Sequence, residues 1–166
     1  MAAAWKRSPP SCRLANMDTN NQISPVEAEV LRIRGLLAER RFDEALSAAQ
    51  DMLLQVPENR DILYLIAVSQ RYLRRLPDAL ATLGRFETIH PTYSRLFQER
   101  GHCLIAAGDP AAAIDAFLKA VNLNAALPGS WKALQVLFSA AGRAEEAAMA
   151  AGHVAKLASL DRKSVV

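Results

Sequence analysis

The residues best suited to chemistry in this sequence are His102 and Cys103, because a histidine can activate a neighbouring thiol as a nucleophile. Adjacent side chains of a helix point about 100° apart, however, so these two cannot face each other well. We therefore expect Cys103 to be a small buried apolar residue. Acidic pairs such as Glu145 and Glu146 fall in the first turns of predicted helices, where the helix dipole favours negative charge without any chemical role.

The remaining histidines do not point to a metal or a cofactor. His90 precedes Pro91 and indicates a helix end, and His153 falls near the middle of the last predicted helix. The three histidines lie far apart, and together with the two cysteines they match no metal-ligand spacing. We therefore predict no catalytic residue, no metal site and no cofactor, and a protein that is not an enzyme.

Composition narrows the class of protein further. The chain has 166 residues, 51% hydrophobic and 22% charged, with a net charge of +3, which fits one ordinary globular domain. The charge is too small to indicate nucleic acid binding, and no apolar run approaches the roughly 20 residues of a membrane span. Two cysteines fit a reducing compartment, and abundant alanine favours helices. We expect a soluble, cytoplasmic, all-α protein.

The two ends of the chain differ from its middle. Residues 1–23 contain two consecutive prolines and show no helical period, so we expect a disordered N-terminal arm. We prefer this to a targeting peptide, because no apolar stretch follows the positive charges. Met17 leaves open that residues 1–16 are an over-extended reading frame. We expect residues 159–166 to form a frayed tail.

Helix signals begin at Ser24, where a serine, a proline and Glu27 follow in the order typical of a helix start. Short breaks marked by proline or glycine then separate helical stretches of roughly 13–15 residues. Breaks this short make neighbouring helices antiparallel. The predicted helices span 26–39, 42–55, 59–73, 76–89, 93–107, 110–123, 128–141 and 144–158.

The predicted helices repeat with a period of 34 residues. The marker in the second helix of each pair is one alanine, followed by apolar residues on the same helical face. These alanines are Ala45, Ala79, Ala113 and Ala147. In the first helices, Leu63, Phe97 and Trp131 recur at the same interval. Gly101 stands where the two helices of a pair must approach closely.

The turns inside the units differ in one respect. Gly108 and Gly142 end the first helices of the last two units, at a position where a left-handed backbone is common. Arg40 and Arg74 occupy the same position in the first two units. We therefore predict that the first two turns are less ideal than the last two.

This pattern resembles the tetratricopeptide repeat, a 34-residue helix-turn-helix unit. The resemblance gives a domain over residues 24–158 with units near 26–58, 59–92, 93–126 and 127–158. The last unit carries it most clearly, through Trp131, Leu134, Phe138 and Gly142, whereas the first has Glu29 where a large apolar residue is usual. It implies an all-α solenoid of four antiparallel helix pairs, a right-handed superhelix whose first helices line the concave side.

Three short segments resemble, more narrowly, the repeat array that precedes the sulfotransferase domain in some bacterial proteins. These segments are 98–103, 120–124 and 128–131. A sulfotransferase domain would need a phosphate-cradling loop between a strand and a helix, and the sequence has no such pattern. On this interpretation, the chain is an accessory or truncated relative whose catalytic domain is absent.

First-helix side chains that packing does not require are expected to face the concave groove. By phase these are Arg34, Tyr64, Val68, Arg71, Tyr72, Arg95, Gln98, His102 and Lys132. The set is rich in arginine and tyrosine and poor in acids, which favours an extended or helical peptide with some negative charge. Alternatively, Arg71 belongs only to a solvated helix end, and Tyr64 and Tyr72 are partly packed.

We therefore predict a non-catalytic module or scaffold that binds a protein or peptide in its groove, with no role in nucleic acid or membrane binding. Two alternatives stay open. One is the accessory part of a sulfotransferase-type enzyme. The other is a self-associating scaffold that forms homo-oligomers through its C-terminal helix, where Val154, Leu157 and Leu160 have no following helix to cover them.

Overall fold

The polypeptide folds into consecutive α-helices joined by short turns. The computed structural model describes residues 23–163, and this range contains eight helices and no β-strand. Apart from Ile23, the predicted N-terminal arm lies outside the described residues, as do residues 164–166. The helices are α1 (Pro25–Ala38), α2 (Phe42–Gln55), α3 (Arg60–Tyr72), α4 (Leu76–Ile89), α5 (Ser94–Ala107), α6 (Pro110–Leu123), α7 (Pro128–Ala140) and α8 (Ala144–Lys163).

The first seven helices agree with the predicted ones to within one residue at each end. The last helix differs, because α8 continues to Lys163 instead of ending at residue 158. Residues 159–163 are therefore helical, and the frayed tail predicted for them is wrong. No glycine or proline interrupts this segment, and the hydroxyl of Ser159 donates to the carbonyl of Lys156 at 2.7 Å. None of the helices within residues 23–163 combines the length and apolar character that a membrane crossing needs.

Side chains satisfy the free backbone groups at several helix starts. At α1, the Ser24 hydroxyl accepts from the Glu27 N–H at 3.1 Å, and the Glu27 carboxylate accepts from the Ser24 N–H at 3.0 Å. The Asn59 side chain accepts from two N–H groups of α3, and Asp109 accepts from one N–H group of α6. Such caps fix where a helix begins, and here they set the boundaries of the repeat.

The turn from the first to the second helix has the same hydrogen bonds in all four units. At the first turn, the N–H of Arg40 donates to Leu37 and the N–H of Arg41 donates to Leu36. The residue in the middle of each turn has a left-handed backbone: φ is 62° at Arg40, 61° at Arg74, 85° at Gly108 and 72° at Gly142. A side chain in this conformation costs roughly 1–2 kcal/mol, which glycine avoids.

The repeated small residues lie where the helices cross. All four period alanines are buried, three of them completely. At Gly101 a Cβ atom would lie 2.6 Å from the ring of Phe117, so the helices α5 and α6 meet at a distance that only glycine allows. Equivalent positions thus have equivalent surroundings, as stacked helix hairpins require. Three successive clusters of buried apolar residues form the core along the array.

Each helix packs against the next along the chain. The first helices of successive units also contact each other, α1 with α3 and α3 with α5, whereas no comparable contact joins the second helices within the described range. The first helices therefore lie together on one side of the array. We call the exposed side of α1, α3, α5 and α7 the inner face.

Candidate partner-binding face

Two cations of the inner face are paired within the protein. Arg34 on α1 forms an ion pair with Asp61 on α3 at 2.9 Å. Arg71 on α3 forms an ion pair with Glu99 on α5, and the Glu99 side chain is almost fully buried. Burial raises the pKa of Glu99, and Arg71 opposes this rise. Both cations hold neighbouring first helices together, so the charge of units 1 and 2 is largely compensated.

The apolar members of the predicted set divide into packing and exposed residues. Val68 is buried, and Tyr64 packs edge-to-face on Tyr93 with ring centroids 6.1 Å apart. Burial raises the pKa of Tyr64 to about 12, so its hydroxyl stays protonated. Tyr72, by contrast, is 49% exposed and stacks flat on Phe42 at 4.6 Å.

The inner face of units 3 and 4 has a different character. Arg95 at the start of α5 and Lys132 on α7 are exposed, and neither forms an ion pair with another described residue. Glu99 is the sole acidic residue on α5 and α7, and it is already paired. These two helices therefore present uncompensated positive charge.

Gln98 and His102 are half-buried between these cations. The Gln98 amide nitrogen lies 3.1 Å from where a Cβ of Gly129 would stand, so it fills the space next to the start of α7. The His102 ring packs edge-to-face on Phe117, with centroids 5.1 Å apart. Burial, with a smaller effect of Arg71, lowers the pKa of His102, which favours the neutral imidazole near pH 7.

Two exposed apolar residues of this face were missed by the sequence analysis. Ile105 on α5 is 43% exposed and Val136 on α7 is 68% exposed. The repeat itself could have found them, because Ile105 lies one period after Arg71, and Val136 lies one period after His102. Together with Tyr72 they give the first helices of units 2 to 4 one exposed apolar side chain each.

The structure places Cys103 in the core rather than in a reactive site. Its thiol is free and fully buried, and burial raises its pKa to about 12, which keeps it protonated. The prediction of a small buried apolar residue is confirmed. His90 ends α4, as predicted, and its Nε2 lies 2.7 Å from the carbonyl oxygen of Glu58. A search of residues 23–163 finds no group of three side chains arranged to hold a metal ion.

Comparisons with known proteins act at the level of the fold. No family model matches the chain, and no curated protein sequence matches it. The structure of TTC0263, a thermophilic TPR protein of Thermus thermophilus, is similar with a TM-score of 0.74 and 22% identity, over 83% of this chain and 76% of that one. MamA from Desulfovibrio magneticus RS-1, beginning at its residue 41, has a TM-score of 0.63 at 19% identity, over 83% and 76%.

A chain in the structure of Naa15/Naa10 bound to HypK-THB is also similar, with a TM-score of 0.72 and 16% identity. The match covers 80% of this chain and 20% of that longer one. These likenesses agree with the helix pairs, the buried period alanines and the repeated turns described above. The chain therefore has the fold of tetratricopeptide repeat proteins, an all-α array of helix-turn-helix units.

Proposed function

We propose that this protein is a non-catalytic interaction module that binds a partner protein or peptide on its inner face. Repeat arrays of this kind expose one extended surface built from equivalent helices, and such a surface suits an extended or helical segment. One of the similar structures, Naa15/Naa10, was solved with HypK-THB bound, which supports a binding role for the fold.

The observation that carries this proposal is the composition of the inner face on α5 and α7. Arg95 and Lys132 are exposed without an ion-pair partner in the described range, Ile105 and Val136 expose apolar surface, and neither helix has a free carboxylate. Charge complementarity guides encounter, and buried apolar side chains supply affinity. The partner segment is therefore acidic with apolar side chains, and it lies mainly against units 3 and 4.

Arg71 and Tyr72, although predicted groove residues, are a poor basis for the decisive test. Arg71 compensates the buried Glu99, so reversing its charge would place two carboxylates together in the core. Tyr72 belongs to a stack with Phe42 that packing alone explains. A test of binding must use side chains whose removal leaves the fold intact.

Affinity capture from native lysate provides that test, with the double variant Arg95→Glu and Lys132→Glu compared with the unchanged protein. We expect the captured partners to be lost while the helical circular dichroism and the unfolding midpoint stay unchanged. A matched control is Arg85→Glu with Lys156→Glu, which reverses two exposed cations on second helices. Equal capture by both double variants would contradict the inner-face proposal.

A second candidate function is self-association through the C-terminal helix. A cleft of about 610 Å³ runs along α8, lined in part by Pro128, Val154 and Leu157. In a longer array, the first helix of a following unit would cover this side of α8. Sedimentation velocity tests the idea: a dimer that Leu157→Glu dissociates supports it, and a monomer at all micromolar concentrations contradicts it.

The accessory role beside a sulfotransferase-type enzyme remains a third proposal. It rests on the segment resemblance alone, and its test is whether a neighbouring reading frame encodes a phosphate-binding-loop domain. For the compartment we propose the cytoplasm, because the described cysteine, Cys103, is a free thiol, which fits a reducing environment.

A further inference from the structure

The turns inside the units expose a choice that folding does not require. All four turns form the same pair of backbone hydrogen bonds and place their middle residue in the left-handed conformation. Units 3 and 4 use glycine, which adopts this conformation without steric cost. Units 1 and 2 use Arg40 and Arg74 instead. Non-glycine residues held in this region of backbone space are enriched at functional sites.

The side chains at these two positions differ from their neighbours in charge pairing. The next arginine in each turn is engaged: Arg41 pairs with Glu39 and Glu44 at 2.9 and 2.7 Å, and the Arg75 guanidinium is 3.9 Å from the Asp43 carboxylate.

Arg40 and Arg74 are exposed and form no ion pair with another described residue. The free cations thus stand at the two strained positions. A favourable contact with the helix dipole accounts for charge at a helix end, but it acts equally on the last two units, which use glycine.

An aromatic stack joins the two turns. Phe42, two residues after Arg40, lies parallel to Tyr72, two residues before Arg74, with centroids 4.6 Å apart and an interplanar angle of 3°. The Arg71 guanidinium lies 4.3 Å from the centroid of the Tyr72 ring and fixes it from the other side. The result is a flat, half-exposed aromatic surface with a free guanidinium at either end. We call Arg40, Phe42, Tyr72 and Arg74 the turn edge.

We propose that the turn edge is a second docking surface, separate from α5 and α7, which binds an acidic segment of a partner protein. Two guanidinium groups one repeat apart suit carboxylates separated along an extended chain, since each presents a fork of donors that matches a carboxylate. The aromatic stack between them receives the aliphatic part of the segment.

A protein segment fits the turn edge better than a polyanion does. The other carboxylates near these turns, Glu39, Asp43, Glu44 and Asp78, offset the arginines that surround Arg40 and Arg74. Nucleic acids and anionic membranes bind through many phosphate contacts, whereas this edge offers two free cations. Two contacts of defined spacing give selectivity for a short carboxylate pattern instead.

The experiment measures fluorescence anisotropy of a labelled oligoglutamate peptide, with the inner face disabled by Arg95→Gln and Lys132→Gln. In that background, adding Arg40→Gly and Arg74→Gly should weaken binding by roughly tenfold, as the loss of two exposed charge contacts implies. Glycine relieves the left-handed backbone, so the unfolding midpoint should be unchanged or higher. Arg40→Lys with Arg74→Lys should keep most of the binding.

A matched control removes Arg85 and Lys156 as glutamines in the same background and should leave binding unchanged. Equal weakening by the control, or unaltered binding by the glycine variant, would overturn the turn-edge proposal. It would also be overturned if phosphatidylserine vesicles, and not the peptide, bound in a manner that needs Arg40 and Arg74. Because the inner face is disabled throughout, each result leaves the inner-face proposal to its own test.

Discussion

The carboxylate of Glu99 on α5 pairs with the guanidinium of Arg71 on α3, and this one contact joins the first helices of units 2 and 3 inside the protein. The Glu99 residue is only 3% exposed, so water cannot replace Arg71 as its partner. A cation that phase alone assigns to a binding groove is therefore part of the structure that holds the groove together.

The first prediction follows from this pair. Arg71→Met leaves the Glu99 carboxylate buried without a counter-charge, and removing one partner of a buried pair costs about 3–5 kcal/mol. We expect a lower free energy of unfolding by about that amount at neutral pH, measured by urea denaturation. The double variant Arg71→Met with Glu99→Gln should recover much of the loss, since no buried charge then remains.

The same variant should respond to pH in a defined direction. Burial already raises the pKa of Glu99, and Arg71→Met removes the cation that opposes this rise. The folded state then holds a proton that the unfolded state has released, over the range above the ordinary glutamate pKa of about 4.3. Stability therefore falls as pH rises through this range, and the variant should regain stability as pH is lowered from 7 towards 5. A deficit that is constant over this range would contradict the assignment.

The second prediction concerns the crossing of α5 and α6. Gly101→Ala would place a Cβ atom 2.6 Å from the ring of Phe117, which is completely buried and cannot move aside freely. Overpacking of this kind costs about 1–3 kcal/mol. Gly84→Ala is the matched control, because no atom lies within 4 Å of its Cβ and alanine favours the helix by up to about 1 kcal/mol. Thermal unfolding should separate the two variants in opposite directions.

The third prediction exchanges residues between equivalent turns. Arg74→Gly should stabilise the protein and Gly108→Arg should destabilise it, each by about 1 kcal/mol, because both positions have a left-handed backbone. Chemical denaturation of both single variants measures the effect. If Arg74→Gly destabilised the fold instead, the side chain would make a stabilising contact at the helix end, and the reason to seek an external partner for it would weaken.

Much of the fold could be predicted from the sequence because the period encodes it repeatedly. Buried alanines, the glycines at the turns and the serine cap each act through short-range sterics or local hydrogen bonds, which sequence spacing specifies. The end of α8 was missed because nothing marks it: the segment after residue 158 contains no helix breaker.

The candidate site was less predictable for a different reason. Phase assigns a residue to the inner face, but not whether another helix already occupies its charge, so Arg34 and Arg95 look alike until Asp61 is found beside the former. The apolar residues Ile105 and Val136 were overlooked because an isolated aliphatic residue in a helix suggests packing. Whether such a side chain is exposed depends on the spacing of neighbouring helices, which is a tertiary property.

The fourth prediction tests whether that exposed apolar surface contributes to binding. Val136→Ser should leave the free energy of unfolding nearly unchanged, because the side chain is 68% exposed, yet it should weaken the captured partner's binding by about fivefold, or about 1 kcal/mol of lost apolar burial. Met149→Ser is the matched control, since Met149 is similarly exposed, at 63%, but lies on the second helix of its unit. Titration calorimetry with the captured partner measures both. If the two variants bound equally, the partner would rely on the charges of Arg95 and Lys132 without covering Val136, and the segment against α7 would need no apolar side chain.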